Sequence, residues 1–574
     1  MRVLGIEGTA WCASAALYDA ETNSVFIESD PYEPDSGGIH PREAAEHMSE
    51  AIPNVVDTTL AAAEREYGPD AIDAVAFSRG PGLGPCLRTV GTAARALAGT
   101  LDVPLVGVNH MVAHFEIGRH RSGFENPVCL NASGANAHLL GYHDGRYRVL
   151  GETMDAGVGN AIDKFTRHVG WDHPGGPKVE AAAASADPDD LLDLPYVVKG
   201  MDFSFSGISS AANDAFDDGV SVERICFALQ EHVFAMLTEV SERALSLTGA
   251  DELVLGGGVA QNDRLREMLR TMCEARGAAF FAPEPRFLRD NAGMIAVLGA
   301  KMAAGDDTLP IVESEIDPNF RPDQVPVTWR NEESVVQGDI DDVEPTAEES
   351  HNRESLTQER AEWKSVGDAG IEHRGAEATV EIVADGHGGS QVIKRRVPKT
   401  YRHPELDRTL RRKRTVAEAR LTSEARRAGV PTPLVYDVDV PNATLTLQHV
   451  GNHDLAADLD AAWMESVGSD LARLHEAGIV HGDPTTRNVR VGGEQSTDPA
   501  EDRHRTTLID FGLAYHTGHV EDHAMDLHVF EGSIRATAND PDPLIEAFEA
   551  GYVTVGDDAV LARLQDVAGR GRYR

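Results

Sequence analysis

Apolar runs of three or four residues recur through the first 320 residues and alternate with stretches of helical periodicity. They occupy residues 3–6, 74–77, 127–130 and 253–255, and each leads into a turn that contains glycine. Short buried strands separated by helices are typical of α/β folds, whose ligands bind at the turns that leave the strands. The pattern therefore predicts an α/β domain with a ligand site at these turns.

This pattern stops at about residue 324. Residues 325–368 carry twelve acidic side chains against four basic ones, with few apolar residues. A segment of this composition buries too little apolar surface to fold alone, and we interpret 325–370 as a solvated linker. Globular sequence resumes at about residue 371. We therefore expect a domain over 1–324, an acidic linker over 325–370 and a second domain over 371–574.

The composition indicates the solvent environment of the protein rather than its fold. The formal charge is 52 minus 94, or -42, and only eight of the 52 basic residues are lysines. Such a balance fits the salt-rich cytoplasm of a halophilic archaeon. The five cysteines are scattered without a Cys-x-x-Cys pair, so neither a zinc ribbon nor a disulfide framework is indicated.

The sequence also bears on the compartment. Met1 leads directly into the first apolar run without a basic leader region, and no stretch of 18 apolar residues occurs. We expect a soluble, cytoplasmic protein with no membrane partner.

One basic stretch runs against the acidic background. Residues 391–427 contain thirteen lysines and arginines but only four acidic residues. Two interpretations stay open: a helix face exposed to solvent, or a surface that binds the phosphate backbone of a nucleic acid.

The last third of the chain carries the groups that phosphoryl transfer needs. Asp483 is placed to accept the proton of an attacking hydroxyl, and Asn488, five residues later, to bind Mg²⁺. Asp510 begins an Asp-Phe-Gly sequence after an apolar strand and supplies the second magnesium ligand. The order and spacing predict a kinase-type site that uses ATP with Mg²⁺.

Residues upstream complete the predicted ATP site. Lys394 follows two apolar residues and resembles the strand lysine that holds phosphates, and Glu418 is its candidate partner on a helix. The glycine-rich loop is reduced to four candidate ATP-binding residues, which are Gly375, Ala376, Glu377 and Ala378.

The departures from ordinary protein kinases identify a subtype. Gly482 replaces the usual arginine, and only 62 residues follow Gly512, too few for a full substrate-binding lobe. With the acidic and histidine-containing stretch 521–527, these residues resemble the small atypical RIO-like kinase of the KEOPS complex across nearly all of 371–574. The resemblance implies a small α+β kinase-like domain that acts as an ATPase or kinase in tRNA modification rather than in signalling.

Three glycine turns in the first domain point to a nucleotide. They lie at residues 5–9, 80–84 and 256–260. Backbone amides of such turns can approach a phosphate, so three of them together favour a nucleotide cleft over unrelated tight turns.

A histidine pair adds candidate metal chemistry. His110 and His114 are four residues apart, which on a helix places both imidazoles on one face at a spacing that suits a shared metal. A structural pair remains the alternative. A zinc peptidase would carry glutamate directly after the first histidine, and Met111 stands there instead.

The whole first part is similar to the universal tRNA threonylcarbamoyltransferase subunit, a family once called O-sialoglycoprotein endopeptidase. Besides the histidine pair, the resemblance rests on residues 133–136, 159–164, 173–177 and 290–296, in the family's order. It implies the two-lobed actin-like, sugar-kinase and heat-shock ATPase fold over about residues 1–322.

The resemblance also implies site residues. His110, His114 and Asp290 would bind one divalent metal, iron or zinc. The substrate-binding residues would be Asn131, Ala132, Ser133, Gly134, Ala135, Asp163, Gly176, Glu180 and Asn262, of which the last four hold the nucleotide part. Two positions depart from the family: Asn131 replaces a tyrosine that contributes to the metal site, and Ala135 replaces a glycine. Asparagine offers a carbonyl oxygen, so Asn131 leaves the ligand set open.

The implied reaction transfers threonylcarbamoyl from threonylcarbamoyl-adenylate to adenosine 37 of tRNAs that read codons beginning with adenine. The expected partners are tRNA, threonylcarbamoyl-adenylate, ATP and the small KEOPS subunits. Fusion of two proteins that bind each other in the family raises their effective concentration. No residue identifies itself as the base for the adenine amine.

Three rival functions remain open. The first is a serine/threonine kinase with a regulatory nucleotide-binding domain. A metallopeptidase is disfavoured by Met111, and a non-catalytic assembly subunit is disfavoured by two complete ligand constellations.

Overall fold

The computed structural model describes residues 1–32, 40–134, 136–143, 145–330, 373–384, 389–492 and 506–568. Its first lobe is built on a five-stranded sheet. In spatial order the strands are Ser24–Pro31, Cys12–Asp19, Arg2–Glu7, Ala74–Gly80 and Leu105–Asn109. The first three strands pair antiparallel, and the last three pair parallel.

Successive side chains of a strand point to opposite faces of the sheet, and both faces of this sheet are apolar and covered by helices. Leu4 and Ile6 pack with helices Pro41–Tyr67 and Gly84–Leu101. Val3 packs on the opposite face, and the helices there are His110–Ser122 and Ala292–Ala304. Gly5 admits the second of these, since a Cβ at Gly5 would lie 2.5 Å from the carbonyl oxygen of Ala292.

The second lobe repeats this topology. Its strands, in spatial order, are Arg146–Glu152, Ala137–His143, Val128–Ala132, Glu252–Gly256 and Ala279–Phe281. Its helices are Val158–His168, Gly176–Ala183, Ser206–Asp217, Val222–Thr248 and Asp263–Arg276. A meander of three strands extended by two parallel strands thus occurs twice, which confirms the expected two-lobed, actin-like α/β fold.

A short hairpin and a C-terminal strap complete this part of the chain. The hairpin pairs Val198–Lys199 with Asp202–Phe203. The strap returns to the first lobe, where Val325 and Val327 join the core and Arg330 pairs with the buried carboxylate of Glu116. The packing of the first domain therefore continues to residue 330, a few residues beyond the expected start of the linker.

The remaining described residues form a small two-lobed α+β domain. Its five-stranded antiparallel sheet has the order His373–Arg374, Ala378–Ala384, Ser390–Arg396, Thr444–Gln448 and Val435–Asp439. Helix Pro404–Arg427 packs beside it. The helical lobe contains helices Ala461–Glu476, Val520–Thr537, Asp542–Val553 and Asp558–Ala568, and short strands His453–Asp454, Ile479–Val480, Val489–Val491, Thr506–Leu508 and Tyr515–His516. This arrangement is the expected kinase-like domain.

The two domains meet through buried ion pairs. Glu239, on the long helix Val222–Thr248, accepts hydrogen bonds from Arg402 at 2.6 Å and Arg414 at 2.9 Å. Lys399 donates to Glu242 of the same helix at 2.6 Å. The two interpretations of the basic stretch 391–427 were therefore wrong for these three residues, which bind acidic groups of the first domain.

The opposite side of helix Pro404–Arg427 does face solvent. Its exposed basic residues are Arg408, Arg412, Lys413, Arg420, Arg426 and Arg427. Among the described residues, none of the helices has the length and apolar character needed to span a bilayer.

Candidate active sites

The histidine pair lies at the start of a buried helix. Asn109 ends a strand and caps helix His110–Ser122 by accepting hydrogen bonds from the backbone amides of Met111 and Val112. His110 and His114, one turn apart, place their ring centroids 4.8 Å from each other. The imidazoles are 3% and 2% exposed, so neither ring titrates freely with solvent.

Asp290 completes the set from the loop before helix Ala292–Ala304. One carboxylate oxygen lies 3.5 Å from Nε2 of His110 and 3.4 Å from Nε2 of His114. The candidate donor atoms of the three residues all lie within 4.8 Å of one another. Two imidazoles and one carboxylate suit zinc or iron and leave coordination positions for a substrate.

Electrostatics prepare this site for a cation. Burial works to raise the pKa of Asp290, but the charge of His110 and the hydrogen bonds from both histidines hold that pKa well below its usual range. Burial lowers the pKa of His114, which favours the neutral imidazole that a metal requires. Its Nδ1 is buried and has no hydrogen-bond partner among the described residues. The three residues therefore fit a divalent metal.

Glu7 is a site residue that the sequence reading missed. It is fully buried at the end of the first strand, and Oε2 lies 3.1 Å from Nδ1 of His110 while Oε1 accepts the amide of Thr9. Burial opposes protonation of His110, but Glu7 and Asp290 raise the pKa of that imidazole to about 10. A carboxylate behind a metal-ligating histidine fixes its orientation. An acidic residue at the end of an apolar strand was the available signal.

The loop after strand Val128–Ala132 forms a tight turn at the cleft. Ser133 closes it by donating its amide to the carbonyl of Asn136 at 2.8 Å. Gly134 accepts the amide of Asn160 at 2.9 Å, so the turn packs on the start of helix Val158–His168. Ala135 lies outside the described residues.

Asn131 points toward the third glycine turn. Its Oδ1 would be 2.7 Å from a Cβ at Gly257, and it has no hydrogen-bond partner among the described residues. Its Nδ2 donates to the sulfur of Met111 at 3.8 Å. Asn131 therefore lies beside the helix of the histidine pair, and its carbonyl oxygen makes no hydrogen bond to the three candidate metal ligands among the described residues.

The four predicted nucleotide-binding residues lie on or beside three helices of the second lobe: Asp163 within Val158–His168, Gly176 and Glu180 within Gly176–Ala183, and Asn262 at the cap of Asp263–Arg276. Asp163 accepts the amide of Gly175 at 2.8 Å, next to Gly176, whose position has open space around it. Glu180 accepts the amide of Asp263 at 3.0 Å. Asn262 caps the helix that begins at Asp263. Glu180 and Asn262 therefore lie close together, since Glu180 bonds to the residue that follows Asn262.

The kinase-like site contains the predicted lysine cluster. Nζ of Lys394 lies 2.7 Å from a carboxylate oxygen of Glu418 and 2.7 Å from one of Asp510. Burial works to raise the pKa of Asp510, but Lys394 and Arg396 hold it well below its usual range. A permanently ionised Asp510 is suited to bind Mg²⁺. Arg396, which also pairs with Glu418 at 2.7 Å, was missed in the sequence.

Asp483 and Asn488 face each other across the loop that they share. Nδ2 of Asn488 donates to the backbone carbonyl of Asp483 at 2.9 Å. Asp526 anchors the loop by accepting the amides of His481 and Gly482. Burial raises the pKa of Asp483 to about 7, because the cost of desolvating the carboxylate exceeds the opposing effect of a nearby arginine, which lowers the pKa.

That arginine comes from the first domain. Arg243 donates to Asp483 at 3.1 Å and to Glu377 at 2.9 Å. Glu377 also pairs with Arg396 and Arg414, so this predicted ATP-loop residue is held by arginines. Arg243 is 240 positions from Asp483, and nothing local in the sequence announces the contact.

The remaining predicted ATP-loop residues form a narrow turn between strands. The amide of Gly375 donates to the carbonyl of Ala378 at 2.9 Å, and Lys399 donates to the carbonyl of Ala376. This loop therefore bonds to Lys399, which also contacts Glu242 of the first domain.

Fold and sites together define a class: an actin-like domain with a His-His-Asp site, joined to a kinase-like domain with a lysine-carboxylate site. Residues 22–297 match the family model for tRNA N6-adenosine threonylcarbamoyltransferase.

Full-length relatives share both parts. The chain is 64% identical to a protein of Halobacterium salinarum, over 100% of this chain and 99% of that one. It is 62% identical to a protein of Haloquadratum walsbyi over 100% of both chains, and 45% identical to one of Methanosarcina acetivorans over 100% and 99%. Each is named "Probable bifunctional tRNA threonylcarbamoyladenosine biosynthesis protein". The chain belongs to this family of bifunctional tRNA threonylcarbamoyladenosine biosynthesis enzymes.

Proposed function

We propose that the cluster His110, His114 and Asp290 is the centre at which threonylcarbamoyl passes from threonylcarbamoyl-adenylate to adenosine 37 of tRNA. The observation that supports this most is the convergence of three donor atoms within 4.8 Å of one another, where Glu7 contacts one imidazole from behind. The acceptor is a weakly nucleophilic amine, so the acyl group must be activated and the leaving AMP stabilised.

The three residues would hold one divalent metal, iron or zinc. When bound, such an ion supplies Lewis-acid polarisation of the mixed anhydride and neutralises charge on the leaving phosphate. Glu7 would hold His110 in one orientation, and burial of His114 keeps a neutral imidazole available.

The adenylate would bind beside this centre. Asp163, Gly176, Glu180 and Asn262 would hold its nucleoside part, supported by the contacts that place Asp163 beside Gly176 and Glu180 beside Asn262 in the second lobe. The backbone amides at the start of the helix that begins at Gly176 favour an anionic group. Residues 131–134 would line the acyl group, with Asn131 as an extra carbonyl oxygen near the site.

The kinase-like domain would turn over ATP in support of the transfer. Lys394, oriented by Glu418, would contact the phosphates, while Asn488 and Asp510 would hold Mg²⁺ and residues 375–378 would cover the nucleotide. Asp483 would accept the proton of the attacking hydroxyl or water, and its pKa of about 7 suits a general base.

We place this reaction in the cytoplasm, with tRNA and the small KEOPS subunits as partners. The division of the chain into domains 1–324 and 371–574 with a linker over 325–370 is part of the proposal, and residues 325–330 pack with the first domain.

Nucleoside analysis of tRNA tests the assignment. The purified chain is incubated with tRNA, threonylcarbamoyl-adenylate and ATP, with partner subunits added in a second series. We expect threonylcarbamoyladenosine from the wild type and none from His110→Ala. His120→Ala is the matched control, because His120 lies on the same helix and contacts Asn23 and Tyr18 rather than the three-residue cluster. Equal loss in both variants, or product from His110→Ala, would contradict the assignment.

A further inference from the structure

The proposed transfer needs a surface that receives the acceptor adenine once it leaves the anticodon-loop stack. Proteins hold unstacked bases on aromatic rings and on arginine guanidinium planes. The side chains proposed to hold the adenylate, Asp163, Glu180 and Asn262, are carboxylates and an amide without a flat ring. The acceptor base therefore requires other residues near the His-His-Asp centre.

Trp11 and Arg289 stand beside that centre. Trp11 is on the loop that leaves the first strand, four residues after Glu7. Arg289 directly precedes Asp290, and its Cγ is 4.0 Å from the position of a Cβ at Gly258, in the third glycine turn. Trp11 and Arg289 are therefore close in sequence to Glu7 and Asp290, the two carboxylates that contact His110.

The guanidinium of Arg289 lies over the ring of Trp11. The guanidinium carbon of Arg289 lies 5.8 Å from the centroid of the Trp11 ring. Arg289 is exposed and Trp11 is half-buried. In the described part of the chain, the guanidinium of Arg289 has no ion pair or hydrogen bond. Its charge is thus available to a polyanion, in a chain whose formal charge is -42.

We propose that the acceptor adenine of tRNA inserts between the Trp11 ring and the Arg289 guanidinium, next to Asp290; this rests on the proposed transfer. Two van der Waals contacts of about 3.5 Å each need a separation of about 7 Å. The present 5.8 Å must therefore open by about 1 Å, which rotation of an exposed arginine supplies.

An adenine also occurs in the adenylate substrate, and the positions of the two sites separate these sources. Glu180 and Asn262 lie together in the second lobe, whereas Trp11 belongs to the first lobe. The residues proposed to hold the adenylate do not include Trp11 or Arg289, so we assign this pair to the base of tRNA, and kinetics with each substrate varied separately distinguish the two adenines.

Steady-state kinetics of the full chain test the pair, with tRNA and threonylcarbamoyl-adenylate varied in turn. Loss of one base–aromatic contact in Trp11→Ala should lower kcat/KM for tRNA by about 5-fold to 150-fold. The KM for the adenylate should stay within about 2-fold, and Trp11→Phe, which keeps a ring, should recover most of the loss. Arg289→Ala should also lower kcat/KM for tRNA. Because Arg289 is exposed, this substitution leaves no cavity in the core, so a loss of activity would not reflect misfolding.

Arg286→Ala is the matched control. Arg286 is exposed, three residues away, and stacks at 4.5 Å on Phe287 rather than on Trp11, so we expect no loss with tRNA. The proposal is overturned if the adenylate KM rises instead, or if Trp11→Ala and Arg289→Ala behave like Arg286→Ala while wild type modifies tRNA. Absence of product from wild type would instead reject the transfer itself.

Discussion

The ion-pair hub at Glu239 makes a quantitative prediction about how the two domains hold together. Glu239 is 1% exposed and accepts hydrogen bonds from Arg243 of its own helix and from Arg402 and Arg414 of the kinase-like domain, at 2.6–2.9 Å. Glu239→Gln keeps the size of the side chain but removes its negative charge, so the three buried guanidiniums lose one of their anionic partners. Breaking a buried charge pair from one side costs about 3–5 kcal/mol.

The assay uses the intact chain with a protease site introduced between residues 331 and 372. After cleavage, the two parts should remain associated in the wild type. In Glu239→Gln their dissociation constant should rise by about 150-fold to 5,000-fold, which is the same cost expressed as affinity.

Glu267→Gln is the control for the loss of one negative charge. Glu267 pairs with Arg264 at 2.8 Å, but its side chain is 62% exposed, so its loss should cost at most about 1 kcal/mol. Equal affinities for Glu239→Gln and Glu267→Gln would refute the hub, since the buried arginines would then not depend on Glu239.

Two further predictions concern the reaction centres. Burial raises the pKa of Asp483 to about 7, so this base is protonated below that pH; ATP turnover should fall as pH drops through 7, and Asp483→Asn should abolish turnover at every pH. A flat pH profile between 6 and 8 would contradict a base role. Glu7→Gln should weaken metal binding by about 10-fold to 100-fold while the fold persists, measured by metal titration with circular dichroism as the control. Unchanged affinity would mean that Glu7 does not orient His110.

Much of each centre was predictable because its residues belong to short motifs. The spacing of His110 and His114 fixes their common helix face, and the structure places both beside Asp290. Lys394, Glu418 and Asp510 also came together as their strand, helix and loop positions indicated.

What the sequence could not provide is contact across the domain boundary. Arg243 reaches Asp483 only because a helix of the first domain lies against the kinase-like domain, and periodicity carries no signal for such a partner. For the same reason Arg402 and Arg414 were assigned to solvent or nucleic acid, since their partner Glu239 is more than 160 residues away.

The most direct test of two cooperating centres compares single and multiple turnover on one tRNA preparation. With enzyme in excess, Asp290→Ala should form no threonylcarbamoyladenosine, while Asp510→Ala should modify tRNA once at nearly the wild-type extent. With tRNA in excess and ATP present, Asp510→Ala should stop after about one equivalent, the point at which ATP turnover is needed. Product from Asp290→Ala, or unimpaired multiple turnover by Asp510→Ala, would contradict the account.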